Sequence, residues 1–222
     1  MSAAQEAAHR GLARVWIDFE SALVQVPIVA RLIAGRLRRE DYRALLFNLR
    51  QQVVEGACWI GRAASHFSPA HDQLRSMFLR HAVAEHRDYH LLEANYVAAG
   101  GSLAQIREGQ KNIGSEALSA FMYQAASRPD PVGLLGAMFI IESLGERLAG
   151  SWAEAIRTQL GLGADAVSFL AYHGANDAAH LDHFETALAL AATDQAAADD
   201  IVRHARIVAR LYRLQLEELD TV

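Results

Sequence analysis

The sequence predicts an all-α protein that folds as a seven-helix bundle. Its hydrophobic share of 52% comes largely from alanine and leucine, and it has only four prolines, a balance that favours helices because these side chains lose little entropy there. Apolar residues also recur at helical spacing along most of the chain. At 222 residues the chain is long enough for one packed core and short for two, so we expect one domain over residues 1–222.

Proline and glycine bound the first three helices. The first is predicted over 12–34 with a kink at Pro27, because proline lacks a backbone donor and obstructs the preceding turn. Apolar residues at every third or fourth position predict the second helix over 39–67, and Pro69 closes it. The third is predicted over 71–100, where a glycine pair ends it.

Four more helices are expected after a polar, glycine-punctuated stretch. They are predicted over 115–127, 131–160, 164–192 and from 196 to the end of the chain. Pro131 suits the first turn of its helix, where a missing amide hydrogen costs nothing. Short connections between long helices are typical of a bundle, in which binding sites are built from side chains that point inward.

Composition and charge argue against several classes of function. The formal net charge is −5 and the pI is near 6.0, so there is no electrostatic basis for binding nucleic acid. The most apolar segment, 132–141, is about half the length needed to cross a bilayer, so we expect no membrane partner. The chain has one cysteine, Cys58, and no evident signal peptide. We therefore expect a cytoplasmic protein with Cys58 as a small core residue.

The strongest chemical signal lies on the sixth predicted helix. At about 100° per residue, His173, Asp177 and His180 fall within roughly 60° of one another and form one stripe. Apolar neighbours such as Phe169 and Phe184 flank that stripe, which favours a buried position. Taken alone, the same spacing fits a surface cluster of polar side chains equally well.

A carboxylate in the most apolar part of the chain favours the buried interpretation. Glu142 directly follows the segment 132–141, where an ionised carboxylate without a partner would cost several kcal/mol. A bound cation is the simplest way to offset that cost. The glycines at 133, 136 and 145 lower helix stability, which is consistent with close helix contacts or an open cavity near Glu142.

The third predicted helix carries two polar stripes. His81, Glu85 and Asp88 lie at i, i+4 and i+7 and therefore share one face, which is the candidate for binding. His86, His90 and Glu93 belong to a different stripe. We expect that stripe to face solvent because no apolar residues follow the same spacing.

Three helices can thus bring oxygen and nitrogen ligands together. Such a set, without thiolate, suits iron or manganese better than structural zinc, and clustered carboxylates in a bundle core are typical of centres that hold two ions. We expect two iron ions, with manganese as the alternative. The predicted ligands are Glu85, Asp88, Glu142, His173, Asp177 and His180.

With these residues the chain resembles the heme-oxygenase-like diiron oxidases, which include the undecene-forming fatty acid decarboxylase and the CADD-type p-aminobenzoate synthase. The resemblance follows the helix order over nearly the whole chain. Its motifs are one glutamate on the third helix, one on the fifth, and His-x3-Asp-x2-His on the sixth. The matching residues are Glu85, Glu142, His173, Asp177 and His180.

The sequence departs from that family on the third helix. The nearest family pattern is Glu-x2-His, but Asp88 stands at the position of the histidine. The other family spacing, Glu-x6-His, meets Leu92. Either Asp88 is itself a ligand, or His81, one turn before Glu85, supplies the nitrogen instead. The occupancy of the second metal site depends on this choice.

The resemblance implies a heme oxygenase-like fold and O₂ activation at a reduced diiron centre. It also implies oxidation of a small carboxylate- or amine-bearing substrate. The expected partners are therefore that substrate, O₂ and a separate reductant. We expect a homodimer as a property common among bundles of this kind.

Two other functions stay open. The same fold includes cofactorless enzymes resembling TenA and the PQQ-forming oxidase, in which histidines and acids move protons without a metal. A non-catalytic metal-binding protein, or a degenerate member marked by Asp88, is the other alternative. A heme-degrading enzyme is disfavoured, because no histidine lies between Val15 and Ala34 to serve as the axial ligand.

Overall fold

The computed structural model is all-helical, which confirms the predicted fold class. It describes the backbone of residues 1–220 and the side chains of that range except those of 176–182 and 220. Within the described backbone there are twelve α-helices, with short 3₁₀ turns and one π-helical turn, where the sequence predicted seven helices. The number is larger because several predicted helices are divided, while their order along the chain is as expected.

Two helices replace the first predicted one. These are α1 (Ala3–Leu23) and α2 (Pro27–Ile33), and the break falls at the predicted proline. The first helix begins earlier than predicted because Ser2 and Gln5 form a capping box. Gly35 follows α2 with a φ of 67°, a conformation that glycine adopts without a steric penalty.

The second and third predicted helices are also divided. The resulting helices are α3 (Arg39–Val53), α4 (Gly56–His66), α5 (Asp72–Glu85) and α6 (Tyr89–Ala98). The first break coincides with two adjacent valines followed shortly by Gly56, all of which are poor helix formers. The second break is a turn over 86–88, which separates Glu85 at the end of α5 from Asp88 before α6.

Two further helices occupy the middle of the chain. The polar stretch predicted as a loop contains a short helix, α7 (Leu103–Arg107). The next helix, α8 (Ile113–Ala126), lies close to its predicted position. Its start is set by Asn112, whose side chain accepts a hydrogen bond from the amide of Ser115.

The fifth predicted helix is continuous but irregular. It consists of α9 (Leu134–Leu144), a π-helical turn (Gly145–Ala149) and α10 (Gly150–Leu160). Such π turns are rare and occur often near functional sites. Gly161 ends α10 in the left-handed conformation, with a φ of 60°.

The last two predicted helices agree with the structure. They are α11 (Ser168–Ala191), which follows a 3₁₀ turn, and α12 (Gln195–Glu217). The last helix packs against α1, α8 and α9, while α11 packs against α9, α10 and the π turn between them. None of the helices in the described part of the chain combines the length and apolarity that a membrane crossing requires.

The prediction for Cys58 is wrong. Its side chain is exposed, whereas the next two residues of α4, Trp59 and Ile60, are buried. Because successive helical residues point about 100° apart, the buried face of α4 takes these two side chains and leaves the cysteine outside.

Candidate metal centre

Five side chains that are far apart in the sequence meet between α5, α6, α9 and α11. We name them the acid–histidine cluster. Its members are His81 and Glu85 on α5, Asp88 immediately before α6, Glu142 on α9 and His173 on α11. The structure thus brings four of the six predicted ligands together, along with His81, the substitute considered for Asp88.

Two overlapping groups in the cluster have the spacing needed to hold an ion. His81, Glu85 and Glu142 offer ligand atoms that all lie within 4.8 Å of one another. Glu85, Asp88 and His173 form a second group within the same limit. Because Glu85 belongs to both groups, the two lie side by side, as the ligands of a dinuclear centre must.

Histidine–carboxylate pairs join the helices of the cluster. Nε2 of His81 lies 3.2 Å from a carboxylate oxygen of Glu142. Nε2 of His173 lies 3.5 Å from a carboxylate oxygen of Asp88. The first pair links α5 to α9 and the second links α11 to the start of α6, so the cluster depends on all four helices keeping their positions.

The cluster is largely removed from water. Glu142 is 7% exposed and Asp88 is 8% exposed. Burial, together with the adjacent carboxylate of Glu142, raises the pKa of Glu85 to about 7. Three carboxylates share the space with two imidazoles, so the fully ionised cluster carries a negative charge that divalent cations would offset.

The donor atoms of the cluster fit the metal that the sequence predicts. They are carboxylate oxygens and imidazole nitrogens, and no thiolate is among them. This set suits iron or manganese, which accept mixed oxygen and nitrogen ligands. The residues present therefore fit an iron centre.

Close packing of α11 against α10 positions His173. A Cβ atom on Gly174 would lie 2.6 Å from the backbone nitrogen of Gly150, so no larger residue fits there without a shift of the helices. Phe169, one turn before His173, packs against its imidazole with the ring centroids 4.5 Å apart. The neighbouring ring and the helix contact together restrict where the imidazole can lie.

Two cavities reach the cluster, and Glu142 lines both. The first, which we name the apolar cavity, has a volume of about 100 Å³ and also contacts Glu85 and His173. The second, about 180 Å³, lies beside α5 and contains His81 with the basic residues Arg80 and His183. The walls of the apolar cavity include Leu45, Leu49, Val53, Trp152, Phe169 and Leu216.

Two predicted ligands fall outside the described side chains. They are Asp177 and His180, and the backbone of α11 runs through both positions. Their assignment as ligands therefore stays a sequence prediction. Asp88 and His81, the two alternatives posed for the third helix, both belong to the cluster, so its geometry does not choose between them.

The second polar stripe of the third predicted helix does not face solvent as a unit. His86 is exposed, but Glu93 is only 3% exposed. Its carboxylate accepts hydrogen bonds from Arg50 at 2.9 Å and Arg107 at 2.8 Å. The turn between α5 and α6 interrupts the helical register, so spacing across it did not predict which residues share a face.

Comparison with known proteins identifies a protein family and several solved structures of the same fold. Residues 69–213 match a family model described as "iron-containing redox enzyme", and this range contains the whole acid–histidine cluster. No curated protein matches the chain.

Several solved structures share the architecture. A domain of unknown function with a heme oxygenase-like fold from Shewanella denitrificans OS217 is 17% identical, with a TM-score of 0.86 over 94% of this chain and 90% of that one. A TenA homolog from Pseudomonas syringae pv. tomato DC3000 is 15% identical, with a TM-score of 0.75 over 97% and 93%. A TenA homologue from P. horikoshii OT3 is 15% identical, with a TM-score of 0.72 over 96% and 97%. At these identities the likeness shows the heme oxygenase-like fold alone.

Proposed function

The chain belongs to the family of iron-containing redox enzymes, and from that premise we propose that it is a non-heme diiron oxidase of the heme-oxygenase-like group. Its substrate would be a small molecule with a carboxylate or an amine. The observation that carries this proposal is the pair of ligand groups that share Glu85. When bound, iron supplies the one-electron chemistry that reaction with O₂ requires.

The ligand groups suggest how the residues divide between two ions. Glu85 would contact both, because it is the member that the two groups have in common. His81 and Glu142 would hold one ion, and Asp88 and His173 the other. Asp177 and His180, predicted from the sequence, would complete the set.

Charge supports two divalent ions rather than one. The cluster contains three carboxylates, and Asp177 would add a fourth. Two divalent cations neutralise four carboxylates, which removes the penalty for burying them in the ionised form.

The apolar cavity supplies a route to the cluster for an organic substrate. Its aliphatic and aromatic walls bind apolar groups and limit the access of water to Glu85, Glu142 and His173. The polar end of a substrate would then lie at the cluster. The reaction also needs O₂ and a separate reductant that donates single electrons. The homodimer expected from the sequence stays a prediction.

Anaerobic loading of the full chain with Fe(II) tests the proposal. We expect about two iron ions per chain by elemental analysis after desalting, as is usual for carboxylate-rich bundle centres. Mössbauer spectra should show a coupled pair after oxidation, and the reduced protein should consume O₂. Parallel loading with Mn(II) tests the alternative metal, and a screen of carboxylic acids and amines by mass spectrometry identifies the substrate.

Two outcomes would contradict the oxidase. A chain that binds no metal would favour a cofactorless enzyme. A chain that binds a stoichiometric metal but takes up no O₂ after reduction would favour a metal-binding protein.

A further inference from the structure

The apolar cavity contains two polar groups that the acid–histidine cluster does not use. They belong to Tyr212 on α12 and Gln52 on α3, both of which line the cavity. Apart from these two residues and the cluster, the described residues around the cavity are aliphatic, aromatic or glycine. Two polar groups in such a wall have a free-energy cost unless they find partners.

The hydroxyl of Tyr212 lies in an apolar environment. The residue is 7% exposed, and burial raises the pKa of its phenol, which therefore stays protonated and able to donate. Among the described residues it has no hydrogen-bond partner. By contrast, Tyr42, which is also buried, donates a hydrogen bond of 2.7 Å to the carbonyl of Ala166. A bound molecule could supply the acceptor that Tyr212 does not find in the fold.

Neighbouring side chains orient the amide of Gln52. Its Oε1 accepts a hydrogen bond from Nε2 of Gln215 at 2.8 Å. Oε1 of Gln215 in turn accepts one from the hydroxyl of Ser115 at 2.7 Å. With its oxygen engaged in this way, Gln52 has its NH₂ group left for a ligand, since no described residue accepts from it.

Both donors are connected to α12. Tyr212 and Gln215 are three residues apart on α12 and so lie on one face of that helix. Because Gln215 also holds Gln52 and both Tyr212 and Gln52 line the cavity, we infer that α12 places the hydroxyl and the amide on the same side of it. No arginine or lysine lies among the described residues that line this cavity, so these donors suit a neutral oxygen better than a carboxylate.

We propose that Tyr212 and Gln52 form a carbonyl-binding subsite in the apolar cavity. The substrate would then be a mostly apolar molecule with a neutral oxygen acceptor, such as a ketone or amide carbonyl, in addition to the group that faces the cluster. Oxidation of that substrate rests on the proposed function, whereas binding at the subsite does not require it.

Binding of two six-membered-ring probes tests the subsite. Cyclohexanone carries a carbonyl acceptor and benzene does not, while the two are similar in size. Dissociation constants measured by titration calorimetry should show that Tyr212→Phe weakens the binding of cyclohexanone about five- to tenfold. The same substitution should change the dissociation constant of benzene by less than about twofold. Gln52→Met should show the same selectivity. Tyr42→Phe, the matched substitution at a buried tyrosine whose hydroxyl is already bonded, should leave the ratio of the two constants unchanged.

The design separates this proposal from the oxidase. Thermal melting first establishes that each variant is folded. If Tyr212→Phe weakens both probes equally, or keeps the preference for cyclohexanone, the subsite is wrong. Since neither probe needs a metal, the titrations are made on iron-loaded and metal-free protein. If every variant keeps the preference for cyclohexanone while iron binds normally, the subsite alone is contradicted. If the chain binds no iron but the preference still depends on Tyr212, the subsite is supported and the oxidase is contradicted.

Discussion

Two glutamates in neighbouring helices, Glu93 and Glu85, lie in opposite electrostatic environments. Hydrogen bonds from Arg107 and Arg50 hold the pKa of Glu93 below its usual range. Burial and the carboxylate of Glu142 raise the pKa of Glu85 to about 7. The fold therefore places arginine side chains beside Glu93 and further carboxylates beside Glu85.

The difference separates a carboxylate that stabilises the fold from one suited to bind a ligand. Glu93 is neutralised by groups of the protein itself, so it needs no ion. The acid–histidine cluster collects three carboxylates and only two imidazoles, which leaves a negative charge for cations to offset. Burial alone would not have distinguished the two positions.

The largest effect is expected from removing a carboxylate of the cluster. Glu142→Ala should weaken iron binding by at least about 100-fold, because it removes one member of a ligand group and the partner of His81. The metal-free variant should stay close to the wild-type free energy of unfolding, since relief of the repulsion between Glu142 and the neighbouring carboxylate of Glu85 offsets the lost contact with His81. Elemental analysis after anaerobic loading and urea unfolding measure the two quantities.

Glu93→Gln is the matched control, and the opposite result is expected. It should keep the wild-type iron content but lose about 3 kcal/mol of unfolding free energy, because the partly buried Arg50 is left without its carboxylate. If Glu93→Gln lost iron and Glu142→Ala did not, the division between the two environments would be wrong.

The two glutamates should also give opposite dependence of stability on pH. The native pKa of Glu85 is raised from 4.5 to about 7, so the folded metal-free chain binds more protons than the unfolded chain between these values. Its unfolding free energy should therefore fall as the pH rises through that window, by up to about 3 kcal/mol. The native pKa of Glu93 is lowered, so its stabilisation is present at neutral pH and is lost as the pH falls below about 4.5.

Urea unfolding at a series of pH values separates these contributions. Glu85→Gln should remove the decline between pH 4.5 and about 7 and keep the loss at lower pH. Glu93→Gln should weaken the acidic loss and keep the decline. An unchanged profile in Glu85→Gln would show that the protonation of this residue does not limit the stability of the metal-free chain.

The smallest effect is expected from a change in the contact between α11 and α10 that positions His173. Gly174→Ala forces a Cβ atom against the backbone of Gly150, so we expect a loss of about 1–3 kcal/mol in unfolding free energy and roughly tenfold weaker iron binding. Gly61→Ala on α4 is the control, because an added Cβ there meets nothing within 4 Å, and it should be neutral or stabilising by up to about 1 kcal/mol. Equal iron affinity in both variants would mean that the contact does not position the imidazole.

The sequence by itself determined the all-α class, the helix break at Pro27 and most members of the cluster. Each of these follows from local signals: the helical spacing of apolar residues, the backbone restriction of proline, and a carboxylate in the apolar surroundings of Glu142. Spacing within one helix also placed His81 and Glu85 on the same face. Such signals extend over a few turns at most.

Only the tertiary structure decided which polar residues meet across the bundle. Glu93 is buried because Arg50, 43 residues earlier, and Arg107 converge on it from α3 and α7. Gln52 is oriented by Gln215, which lies 163 residues away in the sequence. Partners at such separations are selected by the packing of whole helices, and the period of any one helix carries no information about that packing.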